Sequence, residues 1–475
     1  MRIFKTTLIL GLILSTCLLG AQENLGLKVD RYAGVNSLLL NPSNGLTSPF
    51  SWDVNLIGLG THIDNNYAFI QNSSLGDFIR HAGNTRLPWE ATLDELSPEE
   101  RRIEFFDDPL KRYVLVQQDV MGPSFMVSIN DQIRVGLLTR ARAMVSSQTI
   151  PNEYSFYNYD RIPLDRDFAM PPIAAAGMSW SEVGLNFQLK QETYSSTIGL
   201  GATVKFLQGY EAAFVRSVDN LQMIQLGGDS LLFNRPHAGA GFTTSNIDGN
   251  NYGVTRNGSG VAFDLGLTIL VNEYDGEYDF KLGFALLDIG KINFNQNAEQ
   301  HVVDTDSLFT ISYGNYFEDF TADDFIRGFS YDALGDSTAS FAGNNFDVWL
   351  PGALSIQADY PINEFFGVNA TLIQRIAFKR VVAVKRSNLL AVTPYAGNRW
   401  FGASLPISVY NWKYLRVGAA ARIGFLTIGT DNLGGFMKSD RFSGADFYLA
   451  LKVNPFDLGF GFGGGGGKSA RCYSF

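Results

Sequence analysis

An apolar side chain at every second position constrains this chain most. From Ala262 to Asn272 the odd positions are Phe263, Leu265, Leu267, Ile269 and Val271, while the even ones are Ala262, Asp264, Gly266, Thr268, Leu270 and Asn272. Neighbouring side chains of an extended strand point to opposite faces, so this segment has one apolar face and one mostly polar or small face. A helix would scatter the same residues around its circumference. The pattern recurs in Val183 to Leu189, Ile198 to Phe206, Phe280 to Leu286, Phe366 to Leu372, Phe401 to Val409 and Phe447 to Val453. These segments are predicted to be strands.

The connections alternate between short and long. Short ones fall at Asn130-Asp131, Gln191 to Thr193, Asp275-Gly276, Ile362 to Glu364, Gly397-Asn398 and Arg422 to Gly424, several with the Asn, Asp or Gly of tight hairpins. Long ones fall near 71–110, 148–177, 211–259 and 293–346. This punctuation divides the chain into about 14 antiparallel strands, within a range of about 12 to 16.

One apolar face per strand fits a soluble sandwich or barrel, with that face as its core, or a membrane barrel, with that face in lipid. Three features favour the membrane. The polar faces are rich in Gly, Ala, Ser and Thr rather than the Lys and Glu of a water-facing sheet. Aromatic residues stand at strand ends, where an interfacial girdle needs them: Trp52, Tyr113, Tyr278, Tyr360, Trp400, Tyr410, Trp412 and Tyr414. The short and long connections alternate, for which a sandwich has no reason. After Leu19 no run approaches the ~18 consecutive apolar residues of a membrane helix. The expected fold is therefore an all-β, antiparallel transmembrane β-barrel with long extracellular loops. Ser97-Pro98-Glu99-Glu100 adds helix-start signals, so a short helical insertion is expected near 98–106.

Arg2 and Lys5, the apolar run to Leu19 and the small pair Gly20-Ala21 read as a signal peptide over 1–21. Residues 22–49 then form a periplasmic N-terminal segment or a lumen plug, 50–455 the barrel and 456–475 a Gly-rich tail. The expected location is the outer membrane of a Gram-negative bacterium. Only 2 Cys and a net charge of −10 argue against a disulfide scaffold and a nucleic-acid binder.

Reactive chemistry is sparse. His62, His81, His237 and His301 lack paired spacing, Gly467-Lys468-Ser469 lacks the earlier Gly of a phosphate loop, and Asp304-Thr305-Asp306 reads as a solvated loop. No catalytic residue, cofactor site or metal site is expected. Strand parity instead sends Arg134, Arg140, Arg142, Glu182, Lys190, Lys205, Asp264, Lys281, Asp359, Arg375, Arg416, Arg422 and Lys452 to the interior. All but Glu182, Asp264 and Asp359 are basic. They would form either a positive lumen for a small anionic or amphipathic solute, or an ion-pair network around a blocked pore.

Segments such as WSEVGLNFQL (180–189), FKLGFALLDIGKINF (280–294), LPGALSIQADYPI (350–362) and LRVGAAARIGFLTIGTDNL (415–433) resemble an uncharacterised outer-membrane barrel family common in Bacteroidetes. The opening YAGVNSLLLNPSN (32–44) is similar to that of fatty-acid-transporter-type barrels, which carry an Asn-Pro-Ala step in an N-terminal hatch. Asn41-Pro42 matches that step and Ser43 departs from it. The resemblance implies a barrel in outer-membrane lipid, with no established activity and no functional residues to carry over. Phe475 and Tyr473 partly fit the aromatic ending that the outer-membrane assembly machinery reads.

Two functions follow. One is a channel or transporter with a gated lumen; the other is a structural or assembly protein whose extracellular loops bind a protein partner. An open polar path would favour the first. A filled lumen beneath ordered aromatic loops would favour the second. An outer-membrane enzyme ranks a distant third.

Overall fold

The computed structural model describes residues 23–74, 103–106, 112–150, 167–170, 172–193, 196–217, 219, 221–226, 230–246, 253–271, 278–312, 322–378, 381–437 and 441–455. They form a closed antiparallel barrel of 14 strands. In chain order these are β1 (Trp52–Asn65), β2 (Arg112–Met121, continued by Ser124–Ser128), β3 (Ile133–Ile150), β4 (Ala174–Glu192) and β5 (Ser196–Ser217). Next come β6 (Gly258–Val271), β7 (Phe280–Phe294), β8 (Phe346–Trp349, then Ala353–Pro361), β9 (Phe366–Arg375) and β10 (Leu389–Gly397). The last are β11 (Phe401–Ser404, then Ile407–Tyr410), β12 (Tyr414–Val417, then Ala419–Ile423), β13 (Leu426–Thr430) and β14 (Gly444–Val453). Closure is direct: β1 pairs with β14 from Val54↔Val453 to Asp64↔Gly444. With both edges paired, the wall needs no water to satisfy its backbone groups.

Burial is inverted relative to a water-soluble sheet. Leu185, Phe187, Leu200, Phe206, Phe263 and Leu265 face outward and are about half exposed, whereas Lys205 and Asp264 on the opposite face are 3% and 2% exposed. A large apolar side chain kept in water forgoes about 1.5–3 kcal/mol of burial, so an outer wall of them is stable only against hydrocarbon. No helix among the described residues is long and apolar enough to cross a membrane.

The short connections sit at one end of the barrel, with 129–132, 362–365 and 398–400 as clear examples. At the other end the wall extends into additional sheet. β5 runs on to Ser217, where it pairs with His237–Thr243, and that strand pairs in turn with Ala298–Asp304. A four-stranded head sheet unites Asp167–Met170, Leu221–Gln225, Ser230–Asn234 and Leu308–Ser312. Phe233 and Phe309 stack at 5.4 Å beneath Phe329, which a helix over Ala322–Leu334 contributes.

Two sequence expectations need correction. Within the helix expected near 98–106, Ile103–Phe105 is extended and pairs with Ala68–Ile70 in a small sheet that Arg441–Phe442 completes. Aromatic packing of Tyr67 on Phe105 and Phe69 on Phe106, each at 4.8 Å, suits that ladder; residues 98–102 lie outside the described set. The girdle also loses members. Trp52, Tyr360, Trp400 and Trp412 are exposed, but Tyr113 and Tyr410 are buried, with Tyr410 on the inward parity of β11. Tyr278 donates to the interior Asp359 carboxylate at 2.8 Å. The signal peptide and the tail from 456 onward lie outside the described residues.

Candidate functional site: a plugged lumen

The lumen is filled by the chain itself, from both ends. From the N-terminal side come α1 (Leu25–Lys28) and two 3-10 turns, Gly34–Leu39 and Asn44–Thr47, with Leu25, Val35, Leu38 and Asn41 at 0% exposure. This segment adds no strand to the wall. Polar wall residues hold it: Asn186 Nδ2 donates to Pro42 O at 3.1 Å, Gln357 Nε2 to Leu40 O at 2.9 Å, and Ser43 Oγ meets Thr268 Oγ1 at 2.7 Å. Asn41 Nδ2 donates to Leu267 O at 3.2 Å. Two wall glycines make room. A Cβ on Gly201 would stand 2.4 Å from the Pro42 carbonyl carbon, and one on Gly266 would stand 2.1 Å from Asn41 Oδ1.

From the opposite end, segment 381–388 turns into the barrel between β9 and β10. Trp349 N donates to Val382 O at 2.9 Å, and Val384 N donates back to Trp349 O at 3.2 Å. Val384 is buried in an apolar layer with Leu115, Met144, Trp180, Phe294 and Leu350. The loop-side half of the lumen is therefore packed like a protein core.

A charged layer lies where the two inserts meet. Asp119 pairs with Arg140, and Arg140 Nη1 also lies 3.4 Å from Glu182. Arg142 lies 3.0 Å from Asp288 and 4.7 Å above the Trp180 ring, while Trp180 Nε1 donates to Glu182 at 3.1 Å. Lys205 bridges Asp264 at 2.6 Å and Asp288 at 2.7 Å. Arg386 reaches Asp288 at 2.5 Å and Glu23 at 3.2 Å, and Lys28 stands 3.8 Å from Glu23. Five cations thus meet five carboxylates. The positive lumen expected from parity is neutralised in this layer, because Glu23, Asp119 and Asp288 supply charge that the reading of interior residues left out.

The remaining parity residues are placed as follows. Arg134 donates to Gly45 O and, at 3.1 Å, to Ser48 O. Lys452 caps Tyr32 O at 2.7 Å and Ala33 O at 2.8 Å and pairs with Asp53 at 3.0 Å. Arg422 holds Asp30 at 2.7 Å over the Tyr32 ring. Arg416 pairs with Asp64 at 2.6 Å and lies 4.1 Å above Tyr410. Lys281 Nζ donates to Thr47 Oγ1 at 3.5 Å and lies 5.7 Å from the centre of the Tyr278 ring. Asp359 accepts from Asn369 Nδ2 at 3.1 Å as well as from Tyr278. Arg375 and Lys190 are half-buried at strand ends; Lys190 pairs with Glu192 at 3.2 Å. Most of these side chains therefore hold the plug or each other.

Sequence reasoning missed Asp119 and Asp288 for different reasons. Asp119 shares the parity of Leu115 and Met121, both buried, so simple alternation along β2 already points it inward. Asp288 has the parity of the outward Phe284 and Leu286. It turns inward because its φ is +55° and the β6–β7 register shifts at Phe263/Leu265, a bulge closed by Asp288 N donating to Asp264 Oδ1 at 2.7 Å.

Several plug and loop groups have displaced titrations. Burial alone would raise the Glu23 carboxyl, but Arg386 and Lys28 outweigh it and hold it below its ordinary value. Burial pulls the Lys28 amine down to about 8, with Glu23 opposing. Just beyond β13, burial together with the neighbouring Asp446 pushes Asp431 up to about 8, although Leu25 N donates to it at 3.0 Å and Tyr448 OH at 3.2 Å. No group of three or more His, Cys, Asp or Glu among the described residues could hold a metal ion.

Beyond the apolar layer, at the loop side, lies a crevice of about 330 Å³. Phe214, Phe346, Trp349 and Val382 form its apolar surface. Arg216 also lines it, and at its rim His237 meets Asp304 and Asp347 pairs with Lys291 at 2.5 Å.

The sequence comparison settles the family. A family of unknown function, DUF5723, matches residues 42–431. This chain belongs to that family. The DUF5723 match takes in all of the wall from β1 to β13 and begins at Pro42, inside the plug. No curated protein matches. Among solved structures, the chain is similar to a deltaS2S3 mutant of the TodX monoaromatic hydrocarbon channel, with 10% identity, 89% of this chain and 94% of that one covered, and a TM-score of 0.42. It is also similar to the Pseudomonas putida toluene transporter TodX (12% identity, 89% and 93% covered, TM-score 0.39) and to a Pseudomonas aeruginosa FadL homologue (10%, 88% and 94%, 0.31). No residue is carried over from them.

Proposed function

We propose that this protein is a gated conduit of the Gram-negative outer membrane, closed in the state described here, for a small solute with an apolar or amphipathic body. One observation carries the reading. The lumen is occupied by segments that contribute no barrel strand, while β1 and β14 close the wall without them. The lumen can therefore empty without opening the sheet. The 330 Å³ crevice suits a small molecule with an apolar body. Balanced charge in the middle layer favours an amphipathic solute over a simple anion. Residues 22–49 act in this reading as the plug, and the interior charges act as its seat.

A second reading, a structural or assembly protein that binds a protein partner, has its own support. The lumen is filled beneath an ordered head in which Tyr331 and Leu308 are each 61% exposed. Flux separates the two. In a Cys17→Ser, Cys472→Ser background, Ser43→Cys with Thr268→Cys would lock the plug to the wall, since the native hydroxyls are 2.7 Å apart. Uptake of small uncharged and amphipathic solutes into liposomes should stop on oxidation and return on reduction. No uptake by the wild-type protein, or identical uptake in both redox states, would discard the conduit and leave the partner-binding reading.

A further inference from the structure

Arg386 is the one described side chain that grips both the plug and the wall from the opposite insert. Its Nε donates to Pro351 O at 2.7 Å, its Nη1 to Glu23 Oε1 at 3.2 Å and its Nη2 to Asp288 Oδ2 at 2.5 Å. A planar guanidinium makes these bonds through three separate nitrogens in a fixed fork, whereas a lysine would have to gather all three acceptors around one nitrogen. The side chain is 8% exposed, and the segment that carries it is itself held, because Lys385 N donates to Ser146 Oγ across the lumen at 2.8 Å. On the plug side, Glu23 adjoins α1, whose Leu25 N and Gly26 N are accepted by Asp431 and Tyr448, each at 3.0 Å.

We propose that Arg386 is a latch: through Glu23 it ties the inward segment 381–388 to the N-terminal plug, so that moving the loop-side segment releases the plug. The physical reason is the cost of a stranded charge. If segment 381–388 moves outward, Glu23 keeps only the looser Lys28 contact at 3.8 Å in a buried setting, whereas Asp288 keeps Arg142 and Lys205. An uncompensated buried carboxylate is strongly unfavourable, so the plug end, not the wall, gives way. Val382 lines the crevice and lies four residues before Arg386 on the same segment. An occupant of the crevice therefore pushes on the segment that holds the latch.

The latch concerns plug retention, and only its purpose rests on the conduit reading. Its test reads plug exposure rather than flux. Ser37→Cys in a Cys17→Ser, Cys472→Ser background places a near-isosteric thiol at a buried plug position. Its rate of modification by a bulky water-soluble maleimide is measured in the full chain in nanodiscs, with heat-modifiable gel migration reporting an intact wall. Glu23→Gln and Arg386→Gln should each raise that rate about ten-fold, and the double variant should not exceed the larger single. Lys28→Met should leave the rate at or below that of the parent. Should Arg386→Gln fail to fold, Glu23→Gln decides alone, since Glu23 lies outside the wall. Parent-like labelling in Glu23→Gln, additive effects in the double variant, or a Lys28→Met effect equal to that of Glu23→Gln would overturn the latch.

Discussion

The wall and the lumen filling obey opposite rules of assembly. Along the wall, each residue's environment follows from its parity and its neighbours: Phe263 and Leu265 face out, Asp264 and Thr268 face in, and the ladder from β5 through β6 to β7 fixes both. Within the lumen, Glu23 meets Arg386 and Leu25 meets Asp431, partners 363 and 406 residues apart. The wall is a repeated local solution that lipid stabilises. Its filling is a set of single long-range contacts, each of which can be broken while the sheet persists. A conduit needs that division between a rigid frame and a removable stopper.

The largest expected effect breaks the wall. Leu265→Arg puts a cation on the lipid face and should cost about 2–4 kcal/mol near the bilayer midplane. It should be read as a lower folded fraction in urea titrations of barrels refolded into liposomes. Next, Gly201→Val should spare the wall and unseat the plug, because the new side chain collides with the Pro42 backbone. The expected cost is about 1–3 kcal/mol, visible as fast thiol labelling at Ser37→Cys with unchanged heat-modifiable migration. If the two variants gave the same phenotype, wall and plug would not be separable.

The pH response sharpens the comparison at smaller amplitude. Asp431 is held protonated in the seated plug, with its value moved from 3.8 to about 8. Its contribution is therefore fully present below pH ~4 and lost as the pH rises through about 8. Lys28, moved from 10.5 to about 8, behaves in the opposite sense: its contribution is fully present above pH ~10.5 and lost as the pH falls through about 8. Plug protection should therefore be weakest near pH ~8. Asp431→Asn should flatten the acid-side slope and Lys28→Met the alkaline one, as measured by labelling rates across pH. Smallest of all, Asn41→Ala removes side-chain bonds to Leu267 O and to Ser43 and should cost about 1 kcal/mol of plug seating. A proportionate rise in labelling checks it.

The wall was legible because a period of two survives in each strand, whatever its partner. Asp264 and Lys205 could be assigned inward from their own neighbours alone. Asp288 could not, since a left-handed residue and a register shift reverse its face, and neither leaves a mark in the local alternation. Residues 22–49 read from sequence as a periplasmic segment or a lumen plug, and nothing in that reading named the wall residues that meet them. Asn186 and Gln357 look like ordinary polar-face residues until Pro42 and Leu40 are set against them. The balance of charge failed chiefly because two wall carboxylates, Asp119 and Asp288, were not counted inward; the inserts add Glu23 against Lys28 and Arg386. Short aromatic ladders such as Ile103–Phe105 were hidden behind helix-start signals that lie upstream of them.

Oxygen and aqueous-reagent accessibility of spin labels, placed one at a time from Ala262 to Val271 in liposomes, tests the inverted wall most directly. Labels at 263, 265, 267 and 269 should be accessible to oxygen and shielded from a polar nickel chelate, while those at 264, 268 and 270 should be poorly accessible to both, as expected for a filled lumen; position 266 is left unlabelled, because any side chain there meets Asn41. A strong chelate response at the odd positions would contradict a lipid-facing wall, and a strong one at the even positions would contradict the plug.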